Sequence, residues 1–244
     1  MIYRRVMMGA ALLAILGACA RPQSAQAPTA PGSPQRFQPV TFRTADGWTI
    51  HGRFYPAAKA SKAVVLLHQR GGSSEDWGTA ASRIVKAGVA VLAIDQRGAG
   101  ASLGPQNGPD APWDTTQDIA GAVAWLQQKG FKPNHVALAG ASYGANNCAI
   151  YASQTPGVPA IALLSPGANY HGLRIPDALA RYRGAVLVLT ARDDAITGDG
   201  PQLVKRLKPS TDLKVYPGAA HGTALFEDHS AALDALVEFL KSKT

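Results

Sequence analysis

Six short apolar runs constrain this chain most: AVVLLH (63–68), VAVLAID (89–95), HVALAG (135–140), PAIALLS (159–165), AVLVLTA (185–191) and LKVYPG (213–218). Each is nearly continuous rather than alternating and rich in β-branched residues, the pattern of a strand covered on both faces. Segments of helical period separate them. Residues 74–87 carry Trp77, Ile84 and Val85, and residues 115–129 carry Ile119, Val123, Trp125 and Leu126, preceded by Asp114 and Gln117 at capping-box spacing. Residues 229–242 place Leu233, Leu236, Val237 and Leu240 on one helical face. Ahead of the series, VTFRT (40–44) and WTIHGRFY (48–55) flank Asp46-Gly47, a hairpin turn signal. The predicted class is α/β: a mostly parallel central sheet with an antiparallel N-terminal hairpin and helices on both faces. Right-handed crossovers put every strand-to-helix turn at one edge of such a sheet, where ligands bind.

A chain of 244 residues is long enough for a sizeable core. Its formal charge is +8, and loss of Arg4 and Arg5 with a leader leaves 22 basic residues against 16 acidic ones. The basic residues are scattered, which predicts a basic surface and no nucleic-acid partner.

MIYRR supplies positive charge at the N-terminus, and VMMGAALLAILG is an apolar stretch too short for a comfortable membrane span. LGAC (16–19) follows and resembles the bacterial lipobox. That resemblance implies a signal peptide over 1–18, cleavage before Cys19, lipid on Cys19 and an envelope location. Ala20, in place of an inner-membrane-retaining Asp, favours the outer membrane facing the periplasm. The alternative is an ordinary secretory leader cut near Ala20 or Ala27. Residues 19–38, rich in Pro, Ala, Ser and Gln, read as a flexible tether, and 39–244 as the folded domain. A lipidated Cys19 leaves Cys148 a free thiol, and its apolar helical setting predicts burial.

LAGASYGAN (138–146) sets Ser142 between Gly140 and Gly144, in the pattern G-x-S-x-G, where a strand ends and a helix begins. A sharp turn there strains the serine backbone and lifts Oγ clear of the sheet, and the flanking positions must lack bulk because strand and helix nearly touch. A serine hydroxyl is a poor nucleophile near neutral pH and needs a base oriented by a carboxylate. Candidates follow in the order acid, then histidine: Asp193 and Asp194 after one strand, and His221 in a small-residue loop after the next.

With these residues the chain resembles the α/β-hydrolase superfamily, in size and pattern nearest to dienelactone-hydrolase-like and small serine-esterase-like members. The resemblance spans residues 40–244. LLHQRGGS (66–73) is similar to the family's oxyanion turn, with Gln69 where Gly is common, and DQRGAGAS (95–102) to a segment that is usually structural. The family pattern for the acid fits Asp194, leaving Asp193 as a turn residue or a partner of Arg192. The resemblance implies an esterase: Asp194 orients His221, His221 deprotonates Ser142, and the backbone amides of Tyr143 and of Arg70 (or Gln69) hold the oxyanion. Loss of one such donor costs on the order of 3 kcal/mol. No cofactor is implied.

The short connection between 159–165 and 185–191 leaves no room for a cap domain, so an open pocket and small or loosely held acyl groups are expected. Gly167, Asn169, Tyr170 and His171, and the loop 103–113 with Pro105, Asn107 and Trp113, are its candidate rim. A peptidase or thioesterase with the same triad is one alternative, and a non-catalytic envelope binding protein on the same scaffold is another. His68 is expected to brace the oxyanion turn, and His51, His135 and His229 to sit on or beside structural elements. No two histidines show metal-ligand spacing with a nearby carboxylate. Gly98 and Gly100 follow the fourth strand rather than the first, which argues against a dinucleotide site. Oligomeric state is unspecified.

Overall fold

The computed structural model describes residues 37–103 and 113–244. The predicted signal peptide with Cys19, residues 20–36 of the tether, and Pro105 and Asn107 of the rim lie outside the described residues.

The chain opens with β1 (Gln38–Arg43) and β2 (Thr49–Tyr55) as an antiparallel hairpin. At its turn Gly47 has φ +90°, and Thr44 and Trp48 close the loop through a 2.9 Å backbone bond. β3 (Ala63–Leu67), β4 (Ala90–Ile94), β5 (Val136–Ala141) and β6 (Ala160–Leu164) follow, each fully buried. A small ribbon of β7 (Asn169–Tyr170) and β8 (Leu173–Arg174) precedes β9 (Ala185–Ala191) and β10 (Asp212–Tyr216). The main sheet among the described residues has eight strands in the order β1-β2-β4-β3-β5-β6-β9-β10, parallel from β4 through β10.

Helices cover both faces: α1 (Gly78–Lys86), α2 (Thr116–Gln128), α3 (Tyr143–Gln154), α4 (Pro176–Arg181), α5 (Gly200–Leu207), α6 (Leu225–Asp228) and α7 (Ser230–Lys243). Alternate residues of each strand serve two cores. Val65, Leu67, Leu138 and Ile161 pack with Ile119 and Leu126 of α2 and Cys148 of α3. Val64, Leu66, Ala139 and Leu187 pack with Ile84 of α1 and Leu233 and Leu236 of α7. Each large side chain buried this way contributes about 1.5–3 kcal/mol. Cys148 is a free thiol at the centre of α3, and burial raises its pKa. No helix among the described residues is long and apolar enough to cross a membrane.

The structure corrects three local expectations and adds one element. The last run is not covered on both faces, because β10 is an edge strand with Val215 exposed. Asp114 and Gln117 form no capping box. Thr115 is the N-cap of α2, but its hydroxyl is drawn into the tertiary structure, donating to Gln96 Oε1 at 2.8 Å, while Asp114 accepts from the Thr116 amide at 2.9 Å. The buried stripe of α7 is turned slightly, to Ala232, Leu233, Leu236, Phe239 and Leu240, with Val237 at its margin. The β7–β8 ribbon carries no apolar periodicity and was not legible.

The order of strands locates the functional edge. The parallel part of the sheet starts at its centre with β3, moves outward to β4, then returns to add β5 on β3's other side. Connections leave β3 and β5 in opposite directions, opening a crevice beyond their C-terminal ends. Leu67 pairs with Gly140, so the turn after β3 lies directly beside the turn after β5.

Candidate active site

Ser142 stands between β5 and α3 with φ +55° and ψ −121°, far from the backbone regions that L residues favour. Such a conformation persists only where the surroundings enforce it. Its amide donates to Leu164 O at 2.8 Å, extending the β5–β6 ladder by one residue, and its carbonyl accepts from Ala145 and Asn146 to begin α3. The glycines have the predicted role. A Cβ on Gly140 would collide with the carbonyl of Gly144, and one on Gly144 would lie 2.7 Å from His68 O and 2.9 Å from Leu67 O. The start of α3 thus passes immediately under the turn after β3.

That turn is rigidly held. His68 is wholly buried, accepts the Gln96 amide on Nε2 at 3.0 Å, and faces Gln69 O with Nδ1 at 2.8 Å. Its partners require Nδ1 to carry the proton, and burial lowers the ring's pKa, keeping it neutral. Gln69 ties this turn to a distant loop. Its side-chain amide donates to Thr223 Oγ1 at 3.0 Å and to Asp76 Oδ2 at 3.2 Å, tying the turn to the loop that carries His221.

The segment 95–102 is structural. Asp95 accepts from the amides of Ser74 and Ala101, at 2.7 and 2.9 Å. Arg97 is buried against Asp118 of α2 and also reaches Asp46 in the β1–β2 turn.

Asp194 and His221 arrive from the far side of the crevice. Past the strand ends, Arg192 N donates to Tyr216 O and Asp193 N to Gly218 O, so the loops after β9 and β10 leave the sheet together. Asp193 is exposed, whereas the Asp194 carboxylate is 1% exposed and meets His221 Nδ1 with both oxygens, at 3.0 and 2.8 Å. Asp194 Oδ1 also accepts the Ile196 amide at 3.1 Å. The carboxylate fixes the proton on Nδ1 and leaves Nε2 of His221 able to accept one. The His221 loop reaches the serine turn: a Cβ built on Gly222 would lie 3.4 Å from Ala141 Cβ. No hydrogen bond joins Ser142 Oγ to His221. The Tyr170 hydroxyl is held on the neighbouring loops. It donates to Ser165 O at 3.2 Å, with Ile196 O at 3.4 Å, and burial pushes its pKa up to about 12 against an opposing interaction with Ser142.

Tyr143 supplies the first amide of α3, one of the donors that a helix leaves without an internal acceptor. The Arg70 guanidinium lies 4.4 Å from the Trp113 ring centre, and Trp113 stacks on His171 at 3.9 Å and 11°. Arg70, Tyr143 and glycines 71, 72, 98 and 100 line a cleft of about 410 Å³ beside the turn. Among the described residues no three His, Cys, Asp or Glu side chains cluster as a metal site.

The sheet, the strained serine turn and the connections described above define an α/β hydrolase without an evident cap domain. More narrowly, the chain belongs to the family described as serine aminopeptidase S33, whose model matches residues 58–182, just over half of its length. The match covers Arg70, Ser142 and Tyr143 and stops short of Asp194 and His221. No curated protein matches the chain. Solved structures share the fold at low identity. An esterase from Pyrococcus furiosus is 19% identical with a TM-score of 0.71, over 85% of this chain and 93% of that one. A predicted CIB-like hydrolase from Thermoplasma acidophilum is 17% identical with a TM-score of 0.69, over 84% and 98%. The α/β hydrolase GrgF from a Penicillium species is 17% identical with a TM-score of 0.74, over 85% and 99%.

Sequence reasoning placed Ser142, Asp194, His221, Tyr143 and Arg70 at this edge, and the structure brings Asp194 and His221 into contact. It put Tyr170 only on the rim and missed the Gln69–Thr223 tie and the part of Ser165. Nothing in the run 159–165 signals the left-handed backbone at 165, because a following proline biases a residue toward extended conformations.

Proposed function

We propose that this protein is a serine hydrolase of carboxylic esters with small or loosely held acyl groups. The observation that carries the reading is the buried Asp194 carboxylate on His221, whose loop reaches the strained Ser142 turn. Asp194 holds His221 with Nδ1 protonated. His221 Nε2 takes the Ser142 proton as Oγ attacks the ester carbonyl carbon. The resulting oxyanion is held by the amides of Tyr143 and Arg70. His221 returns the proton to the departing alkoxide, leaving an acyl-enzyme. A water, deprotonated by His221, then displaces Ser142 and releases the carboxylic acid. The Ser142–His221 hydrogen bond forms when substrate binds, a tightening common to apo sites.

Labelling by a fluorophosphonate probe, abolished in Ser142→Ala, tests the nucleophile. No labelling of the wild type would leave the binding-protein reading. The family description favours a second reading, an aminopeptidase. Its substrates carry an α-ammonium, which esters of the first reading lack. Turnover of p-nitrophenyl esters but not of aminoacyl p-nitroanilides supports the esterase, and the reverse overturns it.

We further propose lipid attachment at Cys19 and a periplasm-facing outer-membrane location. Cys19→Ser should move the protein from the detergent phase to the aqueous phase on Triton X-114 partition.

A further inference from the structure

Ser165, the residue after β6, is wholly buried and has φ +50°, a left-handed backbone that a non-glycine residue rarely adopts. All three of its polar groups are committed. The amide donates to Leu189 O at 2.9 Å, anchoring it to β9, and the carbonyl accepts the Tyr170 hydroxyl at 3.2 Å. The hydroxyl accepts the amide of Gly222 at 3.0 Å. That amide belongs to the peptide joining His221 to Gly222, so Ser165 Oγ fixes the peptide plane adjoining the imidazole's own Cα. Gly222 is itself left-handed, at φ +61°, and a Cβ there would press on the Gln69 side-chain amide at 2.9 Å. His221 is thereby held at two points: by Asp194 at the ring and by Ser165 at the backbone. An unstrained serine would not need this conformation, and an alanine would leave a buried N–H without its acceptor.

We propose that Ser165 is a positioning residue for His221: its hydroxyl, aimed by the strained backbone at 165, sets where the imidazole stands relative to Ser142. This rests on the serine-hydrolase reading above. Ser165→Gly separates the role from mere stability, because glycine relieves the left-handed strain while removing the acceptor.

The test uses the purified full chain with Ser165→Gly and Ser165→Ala, measuring the second-order rate of fluorophosphonate labelling, the labelled fraction, and ester kcat and KM. An unfolded fraction lowers the labelled amount, not the rate of the folded molecules. The expected result is a labelling rate and a kcat at least tenfold below wild type in both variants, with KM unchanged and with Ser165→Gly melting above Ser165→Ala, since only glycine relieves the left-handed strain. Wild-type rates in the folded fraction of either variant, or a loss confined to KM, overturn the proposal. Should neither variant fold, amide exchange in the wild type decides: protection of Gly222 supports the bond, and exchange at exposed-loop rates overturns it. Failure of the underlying reading is distinct, because the wild type itself would then not label.

Discussion

The carboxylate of Asp194 meets Nδ1 of His221 with both oxygens, while its neighbour Asp193 points to solvent. Two adjacent acids therefore differ completely in what they can do. Asp194→Asn should lower ester kcat by on the order of 10⁴-fold, because the amide favours the wrong imidazole tautomer. Asp193→Asn should stay within about twofold of wild type. Steady-state turnover of both variants checks the pair.

Gly140 and Gly144 make a prediction about folding rather than chemistry. Gly140→Ala drives a methyl into the Gly144 carbonyl, and because both partners are backbone, neither can swing away. It should cost at least the 1–3 kcal/mol typical of overpacking, read from the denaturant midpoint, and should abolish labelling of Ser142. Gly78→Ala is the contrast. That residue is helical, at φ −54°, with open space where a Cβ would go, so the change should stabilise by about 0.4–1 kcal/mol.

Asp118 and Asp46 share Arg97 unequally. Asp118 is wholly buried, and the Arg97 side chain is 5% exposed, whereas Asp46 is 40% exposed. Asp118→Ala should cost about 3–5 kcal/mol, since it strips a buried guanidinium of its main partner. Asp46→Ala should cost about 1 kcal/mol or less. Urea titration of the two variants separates these outcomes.

Alkali should unfold the protein through its tyrosines. Burial raises the pKa of Tyr170 from 10.0 to about 12 and raises those of Tyr143 and Tyr182 as well. The folded state thus keeps phenol protons that the unfolded chain has already lost. This stability is fully present below pH 10 and is lost as pH climbs through the folded values. Denaturant midpoints should hold steady up to about pH 9 and fall steeply above 10. Tyrosinate absorbance should appear together with the loss of circular dichroism.

The sequence by itself determined the layered fold, the hairpin, the serine turn and the approximate places of its candidate partners. Those features rest on local physics. The five most apolar runs became strands covered on both faces, and the paired glycines at 140 and 144 mark where strand and helix converge. It also gave the order of the loops along the chain, but not which side chains meet across the crevice. Only tertiary structure decided that Asp194 rather than Asp193 turns inward, that Gln69 reaches Thr223 154 positions away, and that Ser165 holds the amide of Gly222 57 positions away. Such pairs follow from the lateral order of strands and the exact exit angle of each loop. Those depend on packing summed over the whole sheet, which no window of sequence records. For the same reason Thr115 gave up its cap for Gln96, and β10 became an edge, although the residues in each stretch allowed the other outcome.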